Sequence, residues 1–174
     1  MKTKLIALSA ISAALTAITL SAGAIFEFID LFTVCIVPLF ISMPLYFNSK
    51  KGAALASLVG GIIALMVNPF SLVWIFHFGF FGFYPILKFV FITQNKKQFW
   101  FKALSLIWFV IVSLGAYFFY IKVLGGVPDD IFGLPEWTIL LIFALLAVVF
   151  YFVVDKFIYI LQLKVFYILN KIIK

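Results

Sequence analysis

Six apolar stretches of helical length, parted by short polar islands, run from one end of this 174-residue chain to the other. About 20 residues of α-helix, at 1.5 Å each, cross a hydrocarbon core of about 30 Å. The pattern predicts spans over about 5–24, 31–47, 53–67, 71–92, 101–124 and 137–159, followed by a basic amphipathic tail at 160–174 that is either an interfacial helix or a helix end protruding into the cytoplasm. The islands carry the turn chemistry: Asn48-Ser49-Lys50-Lys51-Gly52 after the second span, and Asn68-Pro69 after the third. Proline disfavours the α conformation in the residue before it, so Asn68 ends a helix. Hydrophobic residues make up 67% of the chain and charged residues 11%. A soluble domain holds about 25% charged residues, so a soluble fold is excluded. The expected fold is all-α: one polytopic membrane bundle of about six transmembrane helices, forming a single domain.

The lysines orient it. Cytoplasmic loops collect the basic residues. With the N-terminus inside, Lys2, Lys4, Lys50, Lys51, Lys96, Lys97, Lys102, Lys156, Lys164, Lys171 and Lys174 fall inside, and Lys88 snorkels to the same face along its methylenes. Lys122 alone stays outside, whereas Glu27, Asp30, Asp129, Asp130 and Glu136 all fall there. Both termini are therefore expected in the cytoplasm, beneath an acidic outer face. The first stretch resembles a signal peptide in its leading lysines and its small residues at 21–24, but its length suits a full span. The net charge of +7 comes from 13 basic residues, all lysine and spread over several loops. Topology accounts for them, and no nucleic-acid partner is expected. Cys35 and His77 are the sole cysteine and histidine, so a zinc site built from several such ligands is excluded by counting, and neither metal nor cofactor is expected.

Several motifs admit both a structural and a functional reading. The first span carries Ala7, Ser9, Ala10, Ser12, Ala13, Ala14, Ala17 and Ser21, a smooth face that lets backbones approach. Packing inside the bundle explains such a face, and its breadth also fits docking of another membrane protein through Ala10, Ala13, Ala14 and Ala17. The fourth span contains His77-Phe78-Gly79-Phe80-Phe81-Gly82-Phe83-Tyr84-Pro85-Ile86-Leu87-Lys88. Pro85 should kink it, and Gly79 and Gly82 share a face that either packs internally or opens a groove for a ligand or partner helix. His77 falls about two turns below the outer surface, and ionisable groups at that depth are functional candidates. With Asn68, Trp74 and Tyr84 it is expected to line an outer pocket, where Glu27, Asp30, Asp129 and Asp130 favour a cationic or amine-bearing solute. The segment 125–136, rich in glycine, acids and apolar residues, is either a lid or a connector. Enzyme chemistry has no support: no paired intramembrane aspartates, no histidine-rich metal motif and no nucleotide loop occur, and no catalytic residue is expected.

The chain resembles the substrate-binding S components of energy-coupling factor transporters. The likeness lies in the basic, alanine-rich start Lys2-Thr3-Lys4-Leu5-Ile6-Ala7-Leu8-Ser9-Ala10-Ile11-Ser12-Ala13-Ala14-Leu15, with its A-x-x-x-A pair Ala10 and Ala14. It lies also in Pro44-Leu45-Tyr46-Phe47-Asn48-Ser49-Lys50-Lys51-Gly52-Ala53-Ala54 followed by Gly60-Gly61, and in overall size. Residues 78–88 further resemble the F-G-[YF]-Y-P-I-L-K segment of a group of uncharacterised membrane proteins from Gram-positive bacteria. The first resemblance implies a bacterial plasma-membrane subunit that captures a vitamin-like solute outside. It would dock by its first helix onto a membrane coupling subunit and draw energy from two cytoplasmic ATPases. Two other expectations stand beside it: a non-transporting scaffold of cell-envelope assembly of the MreD type, and a lipid or polyprenol handler, to which the 24 phenylalanines point.

Overall fold

The computed structural model describes residues 2–93, 98–125 and 135–173, and the described residues fold into helices joined by short turns. They comprise α1 (Lys2–Ile25), a 3-10 turn (Glu27–Ile29), α2 (Asp30–Leu45), α3 (Lys50–Val67), α4 (Leu72–Phe76), a π-turn (His77–Phe81), α5 (Tyr84–Thr93), α6 (Gln98–Lys122) and α7 (Glu136–Ile173). Five segments are long and apolar enough to cross a membrane: Thr3–Ile25, Lys50–Val67, Leu72–Phe91, Phe99–Lys122 and Trp137–Ile172. The chain is a polytopic membrane helical bundle. α2 has only 16 residues, or roughly 24 Å of helix, less than the hydrocarbon thickness.

Short as it is, α2 is the hub. It packs against α1, α3, α4, α5 and α7, and Val34, Val37, Ile41 and Leu45 on it are almost wholly buried. That placement explains how it tolerates Pro38 and Pro44 in its interior. Proline lacks the N–H that would bond the carbonyl four residues back, and no water in a bilayer core replaces it. Pro44 thus abandons the Phe40 carbonyl, and the Ser12 hydroxyl of α1 donates to it at 2.6 Å. The same close seam joins α1 to α3, where Gly60 lies against Thr16; a Cβ there would sit 2.3 Å from Thr16 Cγ2. The small residues of the first span are therefore partly spent inside. Ser12, Thr16 and Ala17 are buried and Ala13 is half-buried, whereas Ala10 and Ala14 remain exposed.

The turns follow local chemistry. Asn48 takes the left-handed conformation (φ 57°) that closes the α2–α3 link, and the Ser49 hydroxyl caps α3 by accepting from Gly52 N–H at 3.1 Å. Asn68, ahead of Pro69, is extended as expected, and Ser71 caps α4 by accepting from Val73 N–H at 3.2 Å.

The second span is shorter than expected, the fourth is broken, and the last continues as a protruding helix end. The fourth span is not one kinked helix over 71–92: it breaks before Pro85, where the Gly82 N–H reaches back five residues to the His77 carbonyl at 2.8 Å. The last span does not stop near 159. α7 continues unbroken for 38 residues, because Ile158, Gln162, Val165 and Leu169 extend the buried stripe begun by Tyr151 and Val154 at helical spacing. Its length of roughly 57 Å exceeds the bilayer core even when strongly tilted, so part of α7 stands outside the hydrocarbon.

The Ser12 bond gives a direct test. Ser12→Ala should lower the unfolding free energy in detergent by roughly 0.6–2 kcal/mol, read from denaturant titrations, while Ser12→Thr retains most of it. An unchanged midpoint in the alanine variant would show that the Phe40 carbonyl needs no donor.

Candidate functional site

Two features stand out: an apolar slot toward the Asp30 end of the bundle, and a buried polar cluster next to its floor. The slot has a volume of about 550 Å³, within the usual range for small-molecule sites. α6 and α7 form its long walls, Leu72 and Phe76 of α4 close one side, and Asp30 and Leu31 from the first turn of α2 stand at one end. Along α6 it is lined from Phe109 to Tyr120, a length of roughly 16 Å. Asp30, Ser113, Tyr117 and Tyr120 are the lining residues with polar side chains, yet the surface presented to the slot is almost wholly apolar. The other end is floored by Phe109, Phe150 and Val153.

Behind that floor, Phe109 packs on Phe80 and Tyr151, with ring centroids 4.7 and 5.9 Å apart. Tyr151 belongs to a polar cluster tying α5, α6 and α7 together. Lys88 donates to the Asp155 carboxylate and, at 2.6 Å, to the Asp155 carbonyl, and the Tyr84 hydroxyl donates to the same carboxylate. The Tyr84 and Tyr151 hydroxyls lie 3.5 Å apart. The Ser105 hydroxyl is 2.6 Å from that of Tyr151, and the pair converges on the Lys102 carbonyl at 3.1 and 3.2 Å. The Lys88 ammonium also lies over the rings of Tyr84 and Tyr159, 5.5 and 5.6 Å from their centroids. Lys88 does not snorkel: its side chain is 7% exposed. The break before Pro85 and the parallel course of α5 and α7 set its amine against Asp155, and an ion pair costs less than a lone charge beside lipid.

The residues expected to share one outer pocket do not converge. His77 is fully buried against α3, its Nε2 2.9 Å from the Ser57 carbonyl and 3.3 Å from the Ser57 hydroxyl. Asn68 staples a link, donating to the Ala24 carbonyl at 2.9 Å and accepting from Phe70 N–H at 3.1 Å. Trp74 donates to the Pro69 carbonyl at 2.8 Å and meets Phe119 edge-on, and Tyr84 is held by Asp155. Of the expected solute ligands, Asp30 is the one that lines the slot. Asp129 and Asp130, with most of the expected lid, lie outside the described residues, as does the Glu27 side chain.

Gly79 and Gly82 open no groove. A Cβ on Gly82 would lie 2.5 Å from Ser57 Oγ, and one on Gly79 would lie 2.6 Å from Val112 Cγ1, so both faces are closed by this chain's own α3 and α6. The π-turn nevertheless has a consequence at Gly79. Phe83 N–H bonds the Phe80 carbonyl, leaving the Gly79 carbonyl without its α-helical donor, and Trp108 Nε1 supplies one at 2.6 Å. The slot itself escapes a linear reading because its walls are ordinary apolar residues of α6 and α7, distinguished only by how those helices diverge. Asp155 was the legible signal for the cluster, as the one carboxylate inside an apolar stretch.

No family model, no curated protein and no solved structure matches this chain. The functional reading therefore rests on the geometry.

The ion pair predicts strong coupling. Lys88→Met alone should cost about 3–5 kcal/mol by stranding the carboxylate, and Lys88→Met with Asp155→Leu should recover most of it. Unfolding titrations of the two single variants and the double variant measure this; strictly additive losses would show that the two charges do not depend on each other.

Proposed function

We propose that this protein is the solute-binding subunit of an uptake transporter in a bacterial plasma membrane, and that the solute occupies the slot between α6 and α7. The observation carrying the reading is that slot. It is of small-molecule size and its wall is almost wholly apolar. The lysine distribution supports an orientation with the Asp30 end outside and both termini in the cytoplasm, so the slot faces the side from which an uptake system draws. The described residues include no metal-binding cluster and the sequence has no nucleotide motif. Energy for release then comes from partners: a membrane coupling subunit and its cytoplasmic ATPases. The exposed Ala10 and Ala14 of α1 leave a smooth strip at which the coupling subunit docks. A second reading, lipid or polyprenol handling without a transport cycle, is favoured by the slot's nearly uniform apolar lining. The scaffold reading loses its main support with the closure of Gly79 and Gly82.

Mass spectrometry of the purified protein tests the reading. A small molecule should accompany the wild type and His77→Ala, since His77 does not line the slot, and should be lost from Ala116→Trp, whose indole enters it. Co-expression with coupling subunits and ATPases should yield a complex that Ala14→Trp weakens. If no molecule accompanies any of these proteins and no complex forms, the transporter reading fails; a slot-bound molecule without the complex favours the second reading.

A further inference from the structure

The slot turns rings, not charge, toward its interior. Six of its fifteen lining residues are aromatic, twice the 20% share of the whole chain: Phe76 on α4, Phe109, Tyr117 and Tyr120 on α6, and Phe143 and Phe150 on α7. Because the surface presented to the slot is almost wholly apolar, the two tyrosines meet it with ring carbon. Four of the rings already pair with each other, Phe109 with Phe150 at 6.2 Å and Tyr117 with Phe143 at 5.2 Å. Phe76 and Tyr120, on different helices, have no ring partner among the described residues. Asp30 brings no free charge, since its carboxylate accepts from the Leu31 N–H at the start of α2, and no lysine lines the slot.

The slot is also open to the bilayer. Leu31, Val149 and Val153 line it and are still 49%, 63% and 61% exposed on the outside of the bundle, where lipid tails surround a membrane protein. Its lip is thus aliphatic. Resting on the reading that this slot is the solute site, we infer that the solute is an uncharged, rigid, planar ring compound, which enters from hydrocarbon through this lip and lies against the rings of Phe76 and Tyr120. Charge is selected against, because an ion in the slot loses its hydration and finds no partner. Rigidity is selected because a flexible acyl chain gives up its internal rotations when confined, whereas a fused ring has none to lose. Planarity is selected by the two unpaired rings, since aromatic contacts add affinity beyond the area they bury. Phe109 floors the slot roughly 16 Å along α6 from Tyr120, so the occupant is compact and a long polyprenol overruns the site.

The test uses the full chain in nanodiscs of zwitterionic lipid and three radiolabelled probes on one carbon skeleton. These are phenanthrene, its saturated counterpart perhydrophenanthrene, and 2-phenanthrenesulfonate, which carries a permanent charge. Binding, referred to the probe concentration in the bilayer, is counted as the excess over Ala116→Trp and, independently, over Ala147→Trp, which fill the slot from its two walls and are first checked for monodisperse elution. Phenanthrene should bind roughly two- to tenfold more tightly than perhydrophenanthrene, and the sulfonate at least about tenfold more weakly than phenanthrene. Phe76→Leu and Tyr120→Leu, made singly, should each narrow the gap between the two hydrocarbons without weakening perhydrophenanthrene. Equal affinity for the two hydrocarbons overturns the planar class, and a sulfonate that binds as tightly as phenanthrene overturns the uncharged class; in both cases the slot remains the solute site. No slot-dependent binding of any probe, with a co-purified molecule still displaced by Ala116→Trp, overturns the ring compound alone. Absence of both overturns the slot as a binding site.

Discussion

Hydrocarbon offers no hydrogen-bond partner to a peptide group, and this fold is arranged around that fact. An unbroken α-helix satisfies itself, so α1, α3 and α6 need little from their neighbours beyond packing. Two departures from the regular helix are met by a donor elsewhere in the bundle. Pro44 frees the Phe40 carbonyl and Ser12 answers it. The π-turn frees the Gly79 carbonyl and Trp108 answers it. Near Pro85, the Gln162 side-chain amide donates to the Pro85 carbonyl at 2.9 Å, which is why a glutamine lies buried in the last third of α7. The irregular backbone thereby prescribes which helices must be neighbours. The proline-bearing α2 sits at the centre, where partners surround it, and the broken segment from α4 to α5 packs against α1, α2, α3 and α6, with side-chain bonds from α7.

The same economy explains the polar cluster. Tyr84 and Lys88 follow the break within and just beyond the first turn of α5, and both reach Asp155. A carboxylate at this depth is costly unless an amine and a hydroxyl share it, and the amine in turn is satisfied by the Asp155 carbonyl and two aromatic faces. Stacking reinforces the arrangement, with Tyr84 between Phe80 at 4.4 Å and Phe101 at 5.7 Å. α5 has only 10 residues, and this cluster, with Gln162 and the Phe89–Phe166 contact at 5.9 Å, fixes it to α7. The extension of α7 beyond residue 159 follows, since Gln162 and Phe166 are needed to hold α5.

What the sequence made legible is what one-dimensional chemistry controls. Hydropathy located the apolar segments, Asn68-Pro69 and Asn48-Ser49 located their ends, and the small face of the first span signalled close packing without naming its partner. Pro85 signalled a departure from the helix but not its form, because a π-turn depends on Trp108 and Ser57 being in place. The candidate site was less legible. His77, Asn68, Trp74 and Tyr84 each drew notice as polar groups in apolar surroundings, and each is engaged by a backbone or side-chain neighbour belonging to a different junction, although His77 Nδ1 is buried without a hydrogen-bond partner. A polar residue in a span reports that a partner exists; it does not report that several such residues share one. The slot is the converse case. Its walls are phenylalanine, leucine, valine and alanine like those of every other helix face here, so only the three-dimensional spacing of α6 and α7 sets them apart.

α6 and α7 meet differently at their two ends: near Ser105 and Lys102 they join through the Tyr151 hydroxyl, whereas toward Asp30 the described contacts between them are aromatic and apolar, such as Tyr117 with Phe143 at 5.2 Å. Directional bonds join the helices at the first end, and non-directional packing joins them at the second. Phe109 sits where the two regimes meet, stacked over the polar cluster on one side and flooring the slot on the other. A solute lying in the slot would press on Phe109, and through it on Phe80 and Tyr151, so the residues that fix α5 to α7 are also those nearest to the inner end of the proposed cargo. On the proposed reading, the cluster is the rigid base that keeps the slot shaped between binding events, with the adaptable part of the bundle confined to the Asp30 end where the solute enters.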